Sequence, residues 1–206
     1  MRALKPFKAL TALAAAGALF VSGLVAVPAA QAAPVVNGRV SSATLSWGVK
    51  KSFRTYVKGG IAKGSIKASG GAKQAAKNGA FSFTSGSGTL RSGKGTITFK
   101  GAVNFKGHGG KMNLTLSDIK VQKTSASAGY LVADAKAPAF LGKKAITLNN
   151  KRIATVKIKT TKASGGKVQL KISNVKLTAD GSKALGNFYP KGTVMDIASV
   201  NGKLKK

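Results

Sequence analysis

Apolar and polar residues alternate along much of the chain, which is the pattern of strands that bury one face. Residues 95–101 place Ile97 and Phe99 on the same side, and residues 102–106 repeat the pattern. Successive strand residues point to opposite faces, and here Thr, Lys and Asn take the outer face. The alternation recurs in residues 111–116, 144–148, 153–158 and 168–177. These runs predict half-buried antiparallel strands.

Glycine and asparagine pairs separate these runs and predict turns between them. The pairs are Gly59-Gly60, Gly70-Gly71, Gly109-Gly110, Asn149-Asn150 and Gly165-Gly166. Many short strands with regular turns are typical of sandwiches and barrels. We therefore predict a mainly β protein, an antiparallel β-sandwich or partly closed barrel with two short helices. The Ser-, Gly- and Ala-rich stretch 68–79 is predicted to be a loop within this domain, because strand patterns flank it closely.

The first predicted helix covers residues 47–57, where the alternation stops. Apolar residues fall there at helical spacing, at Val49, Phe53 and Val57. Ser52 and Tyr56 are also four residues apart, so they share the neighbouring stripe of the helix. This helix would bury its apolar stripe and present a hydroxyl and a phenol together.

The second predicted helix is a single turn within residues 177–185. Thr178 or Asp180 is placed to cap its first turn, because short polar side chains accept hydrogen bonds from free helical N–H groups. An aromatic pair, Phe188 and Tyr189, follows on a loop. From the sequence alone, such a pair is typical of residues that cover a core.

The first 32 residues have the parts of a secretory signal peptide. A basic start, residues 1–8, precedes the apolar run 9–27, and Ala30-Gln-Ala32 is an A-x-A cleavage site. We therefore predict cleavage after Ala32, which leaves residues 33–206 as one domain that is secreted or associated with the cell wall. A membrane anchor is the alternative interpretation of the apolar run. The polar end of the chain predicts no C-terminal anchor.

The chain is strongly basic, with 35 Lys and Arg residues against 4 acids and a formal net charge of +31. The leader carries three basic residues and no acid, so the charge after cleavage is +28. Such a field attracts cell-wall polymers, anionic lipids, nucleic acid or a carboxylate ligand. The lysines are spread along the chain, as on the solvent faces of strands, so charge alone does not identify the partner.

The composition gives little support to an enzyme. The chain has no cysteine, which excludes disulfides, cysteine nucleophiles and iron–sulfur clusters. The four dispersed aspartates form no obvious carboxylate pair for glycoside hydrolysis. A serine triad would have to use the single histidine, His108, and the chain lacks the G-x-S-x-G motif of such enzymes. No phosphate-binding loop or cluster of metal ligands is evident. We therefore predict a binding protein.

Five separated motifs occur in order along the chain. They are Trp47-Gly-Val-Lys-x-Ser-Phe-Arg-x-Tyr56, Gly59-Gly-Ile61, Phe81-x-Phe83, Gly101-x-Val-x-Phe-x-Gly-His-Gly-Gly110, and Leu177-Thr-x-x-Gly181 before Phe188-Tyr189. Together, from about Leu45 to about Val200, they resemble the HtaA domain. That family consists of actinobacterial haem-binding proteins of the cell envelope, associated with haem transport and iron acquisition.

The resemblance implies a site for ferric haem b. It implies that Tyr56 ligates the haem iron and that His108 hydrogen-bonds the tyrosine oxygen. By the same matching of motifs, Ser52 would contact a haem propionate, while Phe188 and Tyr189 would lie against the porphyrin. The resemblance further implies transfer of haem to another haem-binding envelope protein or to a haem ABC transporter, with no specific nucleic-acid partner.

The chemistry of these residues suits such a ligand. Tyrosine is a known axial haem ligand, and its phenolate is a hard anionic oxygen that favours Fe(III). A histidine N–H that donates to this oxygen would favour the phenolate and hold the ring in place. Nearby lysines or Arg54 are expected to meet the propionates.

Other interpretations of the same residues remain open. Tyr56 suits the edge of a core, His108 suits a solvated turn, and Tyr130, the other candidate phenol, lies in a plain strand pattern and is interpreted as structural. A second class of function also remains, a basic structural or adhesion protein that binds anionic wall polymers or nucleic acid. The dependence of binding on salt concentration distinguishes haem binding from polyanion binding, because polyanion binding weakens steeply as the salt concentration rises.

Overall fold

The computed structural model describes residues 34–206, so the predicted signal peptide and its cleavage after Ala32 lie outside the described residues. The strands are β1 Gly38–Trp47, β2 Ser65–Ser69, β3 Ala72–Gln74, β4 Phe81–Arg91, β5 Lys94–Lys100, β6 Ala102–Gly107, β7 Met112–Lys123, β8 Ala128–Ala137, β9 Ile146–Ser164, β10 Lys167–Leu177 and β11 Ala198–Lys205. The α-helices are α1 Lys51–Lys58 and α2 Ala179–Ala184, and a short 3₁₀ helix spans His108–Gly110. Within residues 34–206, no helix has the length and apolar character that crossing a bilayer requires.

Eight of the strands form a closed antiparallel ring in the order β7, β5, β4, β1, β11, β10, β9 and β8. Pairing between β7 and β8 closes the ring, with Val121 opposite Leu131. The remaining strands extend the wall, since β2 pairs with β6, β6 with the start of β7, and β3 with the start of β4. The predicted mainly β fold is confirmed, and the barrel is closed. Closure leaves the ring without unpaired strand edges.

Large aromatic side chains fill the core. Trp47, Phe81, Phe83 and Phe99 are fully buried, and Phe53 of α1 packs on Phe105 of β6 at 4.9 Å between ring centroids. Aromatic residues bury large areas and contribute strongly to core stability. Packing of α1 on this cluster fixes the position of the helix that carries Tyr56.

The prediction of a loop over residues 68–79 is wrong for its first half. This stretch contains the end of β2 and all of β3, and the buried Ala72 pairs with Phe83 of β4. The strand β3 was not recognised because its surroundings are rich in small and polar residues and only one β3 side chain, Ala72, enters the core. Only the segment after β3 is irregular.

Asn149 and Asn150 were expected to mark a turn, and that expectation is also wrong. Both residues lie inside β9, a strand of 19 residues. The pairing with β8 shifts register between Ala133 and Ala135, and Asn150 adopts φ 51°. An extra residue in one strand forms a β-bulge, which bends the strand without ending it. Asparagine suits this position because it tolerates the left-handed conformation.

Both predicted helices exist, although α1 begins later than predicted. Trp47 ends β1, and the helix begins at Lys51. Val49 is buried but lies before the helix with φ 62°, a conformation that α-helices exclude. In α2, the Thr178 hydroxyl accepts a hydrogen bond from the Gly181 N–H at 2.9 Å, so the cap expected at Thr178 is present.

Lys123, at the end of β7, buries its amine in the wall. Its residue is 2% exposed, and the amine donates a hydrogen bond to the Ala126 carbonyl at 2.9 Å. Burial lowers the pKa of Lys123 from its ordinary value of 10.5. The folded protein therefore binds this proton less tightly than the unfolded chain, which costs stability at neutral pH.

We expect Lys123→Met to raise the melting temperature at pH 7, where 1 kcal/mol corresponds to about 2–4 °C in a domain of this size. The gain should be complete below the lowered pKa and shrink as the pH rises through it towards 10.5, because the wild-type penalty fades there. Thermal unfolding at several pH values measures this. Lys100→Met, at an exposed position of β5, is the control. An equal, pH-independent shift in both variants would contradict the prediction.

Candidate functional site

Helix α1 places Tyr56 at the edge of the aromatic core. Phe53 and Val57 are buried on its inner face, while Tyr56 is half-buried beside them. The Tyr56 and Phe53 rings stack with centroids 6.5 Å apart. Gly59 ends the helix, and its N–H donates to the Tyr56 carbonyl at 3.2 Å. The phenol therefore extends from a helix whose inner face is fixed by packing.

A partly buried ion pair fixes the start of this helix. Arg54 Nη1 lies 2.6 Å from Asp196 Oδ2, and Arg54 Nε donates to the Asn78 carbonyl at 3.0 Å. Asp196 Oδ1 also accepts the Lys51 N–H at 3.0 Å, which satisfies a free donor of the first helical turn. Gly48 leaves room for this pair, because an added Cβ would collide with the Asp196 carboxylate and the Arg54 guanidinium. Arg54 is thus committed to the scaffold, and the expectation that it meets a haem propionate is wrong.

The turn after β6 presents His108. Gly107 ends the strand where an added Cβ would lie 3.0 Å from Met112 Cε. The His108 N–H donates to the Ala62 carbonyl at 2.7 Å, and its backbone adopts φ 53°. Gly109 continues with φ 63°, which glycine adopts without steric cost. The left-handed turn therefore sets the direction of the imidazole, which is half-buried.

Tyr56 and His108, which are 52 positions apart in the sequence, meet directly. Tyr56 Oη lies 2.5 Å from His108 Nε2, and the two rings are 5.9 Å apart between centroids. This nitrogen–oxygen distance is shorter than is usual for a hydrogen bond between these atoms. In the tautomer that carries its proton on Nε2, the imidazole donates to the phenol oxygen; in the other tautomer the phenol donates. In the first case the oxygen accepts the imidazole N–H through one lone pair, and a phenolate in this position would have further lone pairs for an electrophile.

A small, largely apolar pocket with a cavity volume of about 20 Å³ lies next to this pair. Phe53, Phe140 and Phe188 line it together with apolar residues from β7 and β9. Tyr56 and His108 do not line this pocket but adjoin it, since Phe53 stacks on Tyr56 and the Phe140 ring lies 5.2 Å from that of His108. A phenol and an imidazole thus stand at the side of an aromatic recess.

Phe140 is the site residue that the sequence reasoning missed. It lies in the short segment between β8 and β9, where its N–H and carbonyl pair with those of Lys143 around a tight turn. Its ring sits between His108 at 5.2 Å and Phe188 at 6.2 Å. No alternation or motif marks this residue, and the only signal was an aromatic residue beside a turn.

The aromatic pair after α2 reaches the same region. Phe188 lines the pocket and is 37% exposed. The sequence alone had also allowed Phe188 to be interpreted as a residue that covers the core. Tyr189 packs edge-on against Phe53 at 6.1 Å, and the Lys50 amine lies 5.7 Å from the centre of its ring. Both residues are therefore adjacent to the elements that hold Tyr56.

The remaining candidates occupy different positions. Ser52 is exposed on α1, one turn before Tyr56. Two cations, Lys143 and Lys144, line the pocket. Tyr130 lies in β8, with the Arg152 guanidinium 4.3 Å from the centre of its ring, and neither residue lines the pocket.

The Htaa family model (HtaA) matches residues 42–201, which include the Tyr56–His108 pair, Phe140 and both aromatic residues after α2. The chain belongs to the HtaA family. The family resemblance seen in the sequence is thereby confirmed. No match was found among curated proteins.

Solved structures of HtaA-family domains share this fold. The C-terminal domain of HtaA from Corynebacterium glutamicum is 28% identical, with a TM-score of 0.71 over 84% of this chain and 100% of that chain. The N-terminal domain of the same protein is 31% identical, with a TM-score of 0.69 over 81% and 99% of the respective chains. The haem-binding protein HtaB from the same organism is 21% identical, with a TM-score of 0.68 over 84% and 98%, and supports the fold alone.

Proposed function

We propose that this HtaA-family protein binds ferric haem b, with the Tyr56 phenolate as axial ligand of the iron and His108 as hydrogen-bond partner of that phenolate. The observation that carries the proposal is the 2.5 Å contact between Tyr56 Oη and His108 Nε2 at the side of an aromatic pocket. Family membership adds support, because the resemblance to HtaA domains implies haem binding. The role is binding and not catalysis.

The residues present fit this ligand chemically. Ferric haem supplies a Lewis-acidic iron that accepts an anionic oxygen and a broad apolar ring that requires an aromatic environment. Tyr56 provides the oxygen. His108, held by its backbone bond to Ala62, lies within hydrogen-bond distance of that oxygen and would donate to it. The hydrogen bond between the imidazole and the phenol would also restrain the phenol ring, as partners of metal ligands commonly do.

The walls of the recess suit a flat apolar ligand with carboxylates at one edge. Phe140 and Phe188 supply aromatic surface, and Tyr189 supports Phe53 from the side. Since Arg54 is held by Asp196, we assign the propionates to Ser52 and to the pocket lysines Lys143 and Lys144. Ammonium groups and hydroxyls near solvent pair with carboxylates without a large desolvation cost.

We further propose that the protein acts outside the cytoplasm, secreted or held at the cell wall, and passes haem to another haem-binding envelope protein or to a haem ABC transporter. The signal-peptide pattern of residues 1–32 supports export. The half-buried ligand pair supports transfer, because a partly accessible site lets an acceptor approach the haem. Exposed Ile61 and Leu141, next in sequence to Ala62 and Phe140, offer apolar surface beside the site.

A ferric haem titration of residues 33–206, followed by absorption spectroscopy, tests the function. We expect saturable one-to-one binding with a shifted Soret band and a phenolate-to-iron charge-transfer band. Binding should survive high salt, because an iron–oxygen bond and an apolar pocket are screened little by ions. Haem association that does not saturate, or that disappears at high salt, would overturn the proposal and favour the polyanion-binding protein.

A further inference from the structure

On the outer wall of the barrel, basic side chains lie directly opposite one another on neighbouring strands. Lys159 of β9 pairs with Lys171 of β10, Lys167 of β10 with Lys203 of β11, and Lys205 of β11 with Arg39 of β1. All six side chains are exposed and alternate with buried residues, so they share one face. Residues opposite each other in an antiparallel pair have Cβ atoms about 5 Å apart, and like charges there are destabilising.

Within residues 34–206, no aspartate or glutamate side chain forms an ion pair with these six cations. The chain has four acids, and β9, β10 and β11 contain none of them. Two are engaged elsewhere, Asp196 with Arg54 and Asp180 with Lys183. Asp134 accepts the Asn150 N–H, and Asp118 lies in β7, outside this group of strands. The six cations therefore form an uncompensated band, which we call the lysine face.

The geometry of the lysine face suits an extended chain of negative charges. Strands lie about 4.8 Å apart and alternate residues about 7 Å, so the band crosses four strands over about 25 Å. Neighbouring cations on this path are about 5–7 Å apart, except that Lys167 and Lys171 are separated by about 13 Å, and a flexible linear polyanion can follow this spacing. Binding such a chain would remove the like-charge repulsion and release its counterions.

The same face argues against other anionic partners. Strands β9, β10 and β11 contain no aromatic residue, and single-stranded nucleic acids rely on aromatic side chains to stack their bases. The outward positions of β10 from Lys167 to Ser173 are all polar, so no apolar side chain is offered there for insertion into a membrane. The partner that suits this face is therefore a flexible polyanion without bases, recognised by its charge.

We propose that the lysine face is a second binding surface, which holds a flexible phosphodiester polymer without bases, of the kind that carries charge in cell envelopes. This surface is independent of the Tyr56 site, because none of its six residues lines the aromatic pocket. Its function is retention of the protein on an anionic matrix while the haem site stays accessible.

The test compares two variants of residues 33–206 that lose the same charge. One replaces Lys159, Lys167, Lys171 and Lys203 with Gln. The control replaces four exposed lysines on other strands, Lys73, Lys94, Lys100 and Lys136, with Gln. Affinity for poly(glycerol phosphate) is measured by calorimetry over a range of salt concentrations.

We expect the face variant to lose at least about tenfold in affinity at low salt, and its log–log salt slope to fall by about 0.7 per lysine that contacts a phosphate. The control should retain nearly the wild-type slope. The face variant should also melt no lower than wild type, because it removes repulsive pairs. Equal losses in the two variants would overturn the proposal, since net charge and not this face would then explain binding.

Two comparison ligands test the class of partner. Single-stranded oligonucleotide with the same number of phosphates, and vesicles containing phosphatidylglycerol, should bind more weakly than the polymer. Tighter binding of either would overturn the assignment to a base-free chain. Haem titration of both lysine variants should be unchanged, so failure of the haem site and failure of the lysine face give different results.

Discussion

Tyr56→Phe is expected to lower the affinity for ferric haem by on the order of 100-fold or more and to remove the phenolate-to-iron band. The substitution deletes one oxygen and keeps the ring that stacks on Phe53. Loss of a partner of a metal ligand costs about 10–100-fold in affinity, so loss of the ligand itself should cost at least the upper end of that range. Titration of wild type and variant at high salt measures the change.

Two further variants show whether the phenol acts as ligand. Tyr130→Phe removes the corresponding oxygen from β8, where the ring contacts Arg152, and should leave the haem spectrum unchanged. His108→Ala should weaken binding by about 10–100-fold while the charge-transfer band persists, because the iron would still favour the phenolate. Retention of that band in Tyr56→Phe would show that another oxygen holds the iron and would sink the ligand assignment.

The strand content of this protein could be predicted because each strand buries one face. Ile97 and Phe99 follow the alternation that the barrel requires, and both are buried. Closure could not be predicted, because it depends on pairing between β7 and β8 that leaves no mark in either strand alone. The bulge at Asn150 misled the prediction for a related reason. Asparagine favours left-handed backbone in turns and in bulges alike.

The centre of the site could be predicted from the order of its motifs. Tyr56 and His108 were expected to be neighbours, and the structure brings them within hydrogen-bond distance. Phe140 was missed because its role depends on where the segment between β8 and β9 folds back. Arg54 was misassigned because a cation two positions from a candidate ligand suggests an anion partner. Its actual partner, Asp196, lies 142 positions away in the sequence.

The barrel and the site depend on each other through that ion pair. Asp196 lies just before β11, and its carbonyl accepts the Trp47 indole N–H at 3.1 Å while its N–H donates to the Val49 carbonyl at 3.0 Å. The start of α1 is therefore attached to the last part of the chain. Any change that loosens this attachment should also shift Tyr56, which lies less than two turns further along the same helix.

Asp196→Asn should lower the free energy of unfolding by about 2–3 kcal/mol. Removing one partner of a buried ion pair typically costs 3–5 kcal/mol, since the remaining charge stays buried, and the cost here is reduced because the Asp196 side chain is 29% exposed. Arg54, whose side chain is 7% exposed, would keep its bonds to backbone carbonyls but lose its counter-charge. Urea denaturation measures the change.

Asp118→Asn is the matched control, because it removes one of the four acids from an exposed position of β7 and changes the net charge equally. It should alter stability by less than about 0.5 kcal/mol, as surface substitutions usually do. If the two variants lose equal stability, general repulsion in a chain of charge +31 would explain the loss, and the ion pair would not. If only Asp196→Asn is destabilised and its haem affinity also falls, the ion pair holds Tyr56 in position as well as stabilising the barrel.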